Sequence, residues 1–194
     1  MSLNSIENKW NCIYRQADHV QYPPAKVLTD NVYLLPQSGT ALDLASGLGG
    51  NALFLAECGL TVEAWDISSA AIEKLTNKAN SKGLLINTKV RNINKLTFSG
   101  CAFDVIVVSR FLDRSICEEI ISALNPEGLL FYQTYTRQKL NDPSPNNPDY
   151  LLAENELLDL FADLRVVFYR ENGCIGNTEA GLRNEAQFIG QLSR

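Results

Sequence analysis

The stretch Ala41-Leu-Asp-Leu-Ala-Ser-Gly-Leu-Gly-Gly50, then Asn51 to Cys58, then Leu60-Thr-Val-Glu-Ala-Trp-Asp66, decides how this 194-residue chain is read. Thr40 to Ala45 is apolar enough for a buried strand, and Gly47, Gly49 and Gly50 form a turn. Asn51 to Cys58 reads as a helix ended by Gly59, and Thr61 to Asp66 as a second strand closing on a carboxylate. A βαβ unit of this kind binds an adenine-containing cofactor. The glycines let a ligand lie against the main chain, and an acid at the second strand's end accepts hydrogen bonds from ribose hydroxyls.

Working outward, strand and helix keep alternating. Ser68 or Ser69 caps a helix running to about Ser81, with Glu73 placed for a capping box and Gly83 as its stop. Leu85 to Val90 is the third strand, and Phe103 to Ser109, a continuous apolar run, is the fourth. Ser115 to Leu124 is a helix stopped by Asn125-Pro126, and Glu127 to Thr134 is the fifth strand. Glu154 to Phe161 is a helix, and Leu164 to Arg170 and Ala186 to Gln191 are two late strands that pair antiparallel, because no helix separates them. Before the core, residues 1 to about 35 are expected to be helical. Ser5 with Asn8 marks a start, and Trp10, Ile13, Tyr14 and Ala17 fall at helical spacing. Pro23-Pro24 breaks that helix, and Ala25 to Leu35 forms a second one. The Asn141 to Asp149 segment, with three prolines, is a loop and a candidate lid. The fold class is therefore α/β, a mostly parallel sheet in a Rossmann-like three-layer sandwich. One domain is expected, with 1–38 as a helical cap and 39–194 as the core.

Composition narrows the function. The net charge is -5, and the most basic stretch, Lys74 to Lys95, is diluted by Asn and Ser, which argues against a nucleic-acid partner. No apolar run reaches the ~18 residues of a membrane span. The start lacks the basic flank and apolar stretch of a signal peptide. Five scattered cysteines (Cys12, Cys58, Cys101, Cys117 and Cys174) without CxxC spacing argue for reduced thiols in a cytoplasm, and against disulfides or a metal site.

Two cofactors fit the turn. Gly47 to Ala52 satisfies G-x-G-x-x-[GA], the dinucleotide fingerprint, and Asp66 follows Gly47 at the spacing of a ribose-binding acid. Asp43 separates the two possibilities. It lies inside the strand, where dinucleotide-binding strands run apolar to the first glycine. The pattern Asp43-x-Ala45-x-Gly47-x-Gly49 resembles motif I, [DE]-x-G-x-G-x-G, of class I S-adenosylmethionine-dependent methyltransferases, with Ala45 in place of the first glycine. A carboxylate under the loop biases the site toward a cation, and no pyrophosphate has to be neutralised.

The resemblance extends further. Trp10-x-x-x-Tyr14-Arg15, Val62 to Ser68, Leu124-Asn-Pro-Glu-Gly-Leu-Leu130, Gln133-Thr-Tyr-Thr136 and Asn147-Pro-Asp-Tyr-Leu-Leu152 are similar to small bacterial tellurite-resistance-type, or TehB-like, methyltransferases. It implies a seven-stranded sheet of order 3-2-1-4-5-7-6 with strand seven antiparallel. It also implies S-adenosyl-L-methionine as cofactor, held by Asp43, Ala45, Gly47, Gly49, Asn51, Asp66, Ile67, Asn92, Ile93 and Ser109. Asn92 stands where many relatives carry an aspartate for the adenine amino group, and Gln133 where they often carry glutamate. Ser109-Arg110-Phe111-Leu112 replaces the [DNS]-P-P-[YFW] motif of methylases acting on nucleic-acid amino groups.

Methyl transfer to a soft anionic nucleophile, such as a thiolate, selenide or telluride, needs alignment and dryness more than a base. The acceptor should meet the cofactor above the carboxyl ends of strands one, four and five. Tyr14, Arg15, Arg110, Arg114 and Tyr135 are the substrate-site candidates, with Trp10 and Arg137 behind them; each also has a plain reading as core or surface. His19 is a candidate base more simply read as exposed. Cys12 lacks an activating neighbour in sequence, and Tyr150 reaches the site only if the loop is a lid. A small molecule is the expected partner. A catalytically silent cofactor-binding sensor or scaffold and an NAD-dependent oxidoreductase are the alternatives.

Overall fold

The computed structural model describes residues 3–17, 22–141 and 145–193. Its strands are β1 (Thr40–Leu44), β2 (Thr61–Asp66), β3 (Ile86–Val90), β4 (Phe103–Ser109), β5 (Leu124–Tyr135), β6 (Arg165–Glu171) and β7 (Glu185–Gln191). They form one seven-stranded sheet in the order β3-β2-β1-β4-β5-β7-β6. β1 to β5 run parallel, and β7 is antiparallel to both β5 and β6. The helices are α1 (Leu3–Arg15), α2 (Lys26–Thr29), α3 (Gly50–Glu57), α4 (Ser69–Ser81), α5 (Cys117–Ser122) and α6 (Glu156–Leu160). No helix among the described residues is long and apolar enough to cross a membrane.

Strand alternation sorts the apolar residues into two cores, one on each side of the sheet. Leu42, Leu44, Trp65, Ile106, Val108 and Tyr132 share one core with Ile120 of α5 and Leu157 of α6. Ala41, Val62, Ala64, Val105, Val107 and Phe131 face Val27 and Leu28 of α2, Leu53 of α3 and Leu75 of α4. On this second face the alternation runs on past the apolar residues into polar ones at the carboxyl ends of the strands. Asp43 and Asp66 stand there, and Ser109, Gln133, Gln187 and Arg170 lie side by side across β4, β5, β7 and β6. That polar row positions the candidate site.

Several boundaries differ from the sequence reading. α1 starts at Leu3, so Ser5 and Asn8 lie inside the helix and not at its start. The expected helix from Ala25 to Leu35 is split into α2 and a 3-10 turn at Val32–Leu34. The Asn31 side chain donates to the Val27 carbonyl at 3.0 Å, taking a carbonyl that a continuing helix needs for its own amide. Ser68 caps α4 by accepting from the Ala71 amide, which places Glu73 too far along for a capping box. Asp66, not Glu73, accepts the cap's own amide. α5 ends at Ser122, and β5 begins at Leu124, before Pro126, where β4 and β5 shift register between Phe103 and Val105. Proline lacks an amide and is tolerated at such an irregular strand end. α6 is shorter than expected, because Asn155 is left-handed at φ +62° and its helix begins only at Glu156.

Two left-handed positions in the turn after β1 make opposite demands. Ala45 has φ +55° without being glycine. Gly49 has φ +75°, and a Cβ there would lie 2.1 Å from a Leu75 methyl. Ala45→Gly should therefore raise unfolding stability by about 0.5–1 kcal/mol, while Gly49→Ala should lower it by about 3 kcal/mol. Urea unfolding of the two variants checks the pair; stabilisation by Gly49→Ala would contradict the turn geometry.

Candidate functional site

Asp66 closes β2 with only 5% of its surface exposed. One carboxylate oxygen accepts from the Gly47 amide at 2.7 Å and the other from the Ser68 amide at 2.8 Å. The acid thus ties the glycine turn to the start of α4. The two oxygens together offer about four lone-pair sites. Ile67 follows it and adds an amide hydrogen bond to the same carboxylate.

Asp43 is fully buried under the turn. It accepts from the Ala52 amide of α3 at 3.0 Å and from Asn51 Nδ2 at 3.2 Å. Asn51 also donates to Ser109 Oγ at 3.0 Å and accepts from the Ala25 amide at 2.8 Å. One asparagine therefore joins β1, β4 and the segment leading into α2. Burial pushes the Asp43 carboxyl up to about 7, against the opposing pull of its Asn51 and Ala52 hydrogen bonds. Burial also raises Asp66. Among the described residues, no cationic side chain pairs with either acid.

α1 lies over this floor. Asn11 Oδ1 accepts from the Ser68 hydroxyl at 2.7 Å and from the Ala70 amide at 3.1 Å, docking α1 on the start of α4. Lys74 Nζ donates to the Tyr14 carbonyl at 2.7 Å, at the other end of the helix. Tyr14 then sits on the turn: its hydroxyl lies 2.6 Å from where a Gly47 Cβ would be. Its ring stacks on Trp10 at 5.7 Å and meets Tyr22 edge-on at 6.4 Å. Burial, with Asp66 and Asp43 nearby, raises the Tyr14 phenol well above its ordinary value. Tyr14 is thus a roof over the turn, with the partly exposed Trp10 stacked on it. Ser46 Oγ, inside the same turn, is buried with no hydrogen-bond partner among the described residues.

The turn, Asp43, Asn51, Asp66 and Ser109 come together at one sheet end. Asn92 is exposed on the loop after β3, whose Arg91 amide donates to the Asp66 carbonyl at 2.8 Å; it borders a groove with Arg91, Asn94 and Thr97, while Ile93 packs against the α5-side core. The acceptor candidates separate. Arg110 Nε donates to Glu185 Oε1 at 3.2 Å, and Arg110 feels Tyr135 and Tyr22. Arg114 is committed elsewhere: it grips Glu156 at 2.5 and 2.9 Å and the carbonyls of Asp149 and Leu151 at 2.7 and 3.0 Å. Arg137 is exposed and acts on Glu156. Arg15 borders a hollow with Glu73 and Asn77. Cys12 is exposed and touched by Gln16 of its own helix. Tyr150 is half exposed in a 3-10 turn. His19 and residues 142–144 of the candidate lid lie outside the described residues.

Sequence reasoning missed Asn11, Tyr22, Glu185 and Gln187. Each is a lone polar or aromatic residue with no motif around it. The only available signal was for Glu185 and Gln187, which stand on the same strand face two residues apart.

These elements define a three-layer α/β chain with the S-adenosylmethionine-dependent methyltransferase fold. Its neighbours among solved structures include TehB from Haemophilus influenzae, at a TM-score of 0.72 and 23% identity, covering 95% of this chain and 67% of that one. A methyltransferase from Clostridium acetobutylicum described as S-adenosylmethionine-dependent matches at a TM-score of 0.65 and 16% identity, covering 96% of this chain and 99% of that one. The model of the family "Tellurite resistance protein TehB" matches residues 25–190, and the chain belongs to the TehB family. The probable S-adenosyl-L-methionine-dependent methyltransferase TehB of Haemophilus influenzae (strain 10810) is 30% identical over 161 residues, covering 79% of this chain and 56% of the relative. The chain thus spans about half the length of the curated relatives it matches.

A carboxyl raised by burial takes up a proton on folding, so its contribution to stability is full below the unfolded value and is lost as pH rises through the folded one. For Asp43, with its folded value about 7, this amounts to about 2 kcal/mol lost between pH 5.5 and 8.5. Thermal unfolding should show a falling melting temperature across that interval, and Asp43→Asn should flatten the fall. An unaltered slope in Asp43→Asn would show that this carboxyl does not titrate there.

Proposed function

We propose that this chain transfers the methyl group of S-adenosyl-L-methionine to a small-molecule acceptor presenting a soft nucleophile, of the thiol, selenium or tellurium kind. One observation carries the choice of cofactor: two adjacent buried acids, Asp43 and Asp66, lie at the glycine turn with no cationic side chain paired to them among the described residues. A ligand carrying a sulfonium and an ammonium draws both acids toward their charged form, whereas a pyrophosphate pushes them toward the protonated one. The α3 amide at Ala52, a donor that a dinucleotide phosphate would claim, is already given to Asp43. This disfavours the oxidoreductase alternative.

The residues present fit the cofactor. Asp66 keeps a lone pair for a ribose hydroxyl, Ser46 Oγ is a polar atom of the turn without a partner among the described residues, and the Tyr14 hydroxyl lies close over Gly47. When bound, the cofactor supplies an electrophilic methyl. The chain's part is to orient and exclude water. Tyr14 and Tyr22 close over the turn, and a tyrosine face suits a sulfonium. Asn51 holds Ser109 at the floor where an acceptor would approach. No general base is required of a nucleophile that is anionic at neutral pH. The family's description as a tellurite resistance protein supports a soft acceptor in the same terms.

Asp66→Ala would strip the amides of Gly47 and Ser68 as well as the ligand contact, so Asp66→Asn is the cleaner variant. It keeps one acceptor oxygen and removes the charge. Calorimetric titration with S-adenosylhomocysteine should show affinity reduced about tenfold or more; unchanged affinity contradicts the assignment. Methyl-labelled cofactor with a thiol, selenite and tellurite panel tests transfer, and binding without transfer to any of them favours a silent sensor or scaffold.

A further inference from the structure

We propose that Arg110 grips an acid group, a carboxylate or equivalent oxyanion, on the methyl acceptor, and that a buried polar row fixes it in place for that task. This rests on the methyl-transfer reading and names its acceptor class.

The argument begins with the backbone. Ser109 faces α2 and α3 at the end of β4, so strand alternation would send residue 110 to the opposite side of the sheet. Arg110 instead has φ +53°, a left-handed conformation unusual for a residue with a Cβ. Its amide donates to the Gln133 carbonyl at 2.8 Å, which pins that bend to β5. The bend brings the guanidinium back over the polar face to Glu185, opposite Tyr135 on β7. Strain of this kind is held only where the surroundings over-determine it.

They do so here through a continuous chain of donors. Arg170 Nε and Nη2 donate to Gln187 Oε1 at 3.0 and 2.6 Å. Gln187 Nε2 donates to Gln133 Oε1 at 2.8 Å, and Gln133 Nε2 donates to Glu185 Oε2. Glu185, only 8% exposed, then accepts from Arg110 Nε. The row spends one nitrogen of Arg110 on aim. Nη1 and Nη2 have no protein partner among the described residues, and the side chain is 51% exposed. An oriented guanidinium with its terminal pair open matches a carboxylate in two parallel hydrogen bonds.

Two other arginines, Arg114 and Arg183, have their donors taken within the protein. Arg114 is saturated by Glu156 and two carbonyls. Arg183 gives its donors to the carbonyls of its own loop, from Asn172 to Ala180. Arg110 also directly follows Ser109, which Asn51 links to the cofactor-side acid Asp43. An acceptor anchored on Arg110 therefore lies beside the turn.

The cofactor's own carboxylate is the other source of the same chemistry, and the test separates the two. Mercaptoacetate and the neutral 2-mercaptoethanol are titrated into protein saturated with S-adenosylhomocysteine. Binding is followed by calorimetry, so no turnover is needed. Mercaptoacetate should bind about tenfold more tightly than 2-mercaptoethanol. The double variant R110G/E185Q removes the guanidinium, suits the left-handed backbone and leaves no unpaired carboxylate; it should bring the two ligands within about twofold of each other. R110K, which keeps the charge without the planar fork, should fall between. Equal affinities in the native protein, or a preference that survives in the double variant, would overturn the proposal. So would a loss confined to S-adenosylhomocysteine affinity, which would assign Arg110 to the cofactor. Failure of the native protein to bind S-adenosylhomocysteine would sink the parent reading and this one with it; cofactor binding without an acid preference sinks this one alone.

Discussion

The carboxylate of Asp66, shared between the amides of Gly47 and Ser68, is the interaction on which the rest of the site hangs. It joins the end of β2, the turn after β1 and the cap of α4 through these hydrogen bonds. Asp43 repeats the device one strand over, holding the start of α3 through Ala52. Each acid is stabilised by amide donors and not by a counter-ion, so each remains costly to bury. The roof depends on this floor. Asn11 docks α1 onto the same helix start that Asp66 fixes, and Tyr14 reaches Gly47 only because α1 is docked there.

The identity of Gln133 follows from its neighbours. Its side-chain oxygen accepts from the Val27 amide and from Gln187, and its nitrogen donates to Glu185. Glutamate at this position would have no proton for Glu185 when ionised and would set two carboxylates against each other. The departure from the pattern common among relatives is therefore matched by Glu185 on the adjacent strand. Gln133 also ties α2 to the sheet, so the residue that serves the row also holds the segment after Pro23-Pro24 in place.

The strands and the glycine turn were legible because they rest on local rules, while the sheet order came from the family resemblance. Apolar runs, glycine turns and a carboxylate at fixed spacing all sit within Ala41 to Asp66. What escaped depends on distance. Arg110 and Glu185 are 75 residues apart in sequence, and Asn11 and Ser68 are 57 apart. No periodicity links such pairs. Arg114 and Arg110 looked alike in the sequence, four residues apart on the same loop. The backbone bend at Arg110 sends one to the polar face, while Glu156 takes the other. Glu73 failed as a capping residue because Ser68 caps the helix and leaves Glu73 two residues too far along; Asp66 accepts the cap's amide instead, a contact between strand end and helix start that no capping motif encodes.

The charges at this sheet end are arranged by sign. Asp43 and Asp66 lie on the β1 and β2 side, while Arg110 and Arg170 lie toward β5, β7 and β6, with Glu185 orienting the first of them. In the proposed reaction a cationic methyl donor would sit over the acids and an acidic acceptor beside Arg110. Their charges diminish as the methyl moves from sulfonium to an anionic nucleophile, so the transition state is less polar than the reactants. Water kept out by the Tyr14 and Tyr22 rings would favour such a step, since low dielectric penalises separated charge more than dispersed charge. Polarity at the two flanks holds the partners, and aromatic surface lies between them. That division of labour asks of the reacting centre itself only closeness and dryness, which is why a site without an evident base is chemically coherent.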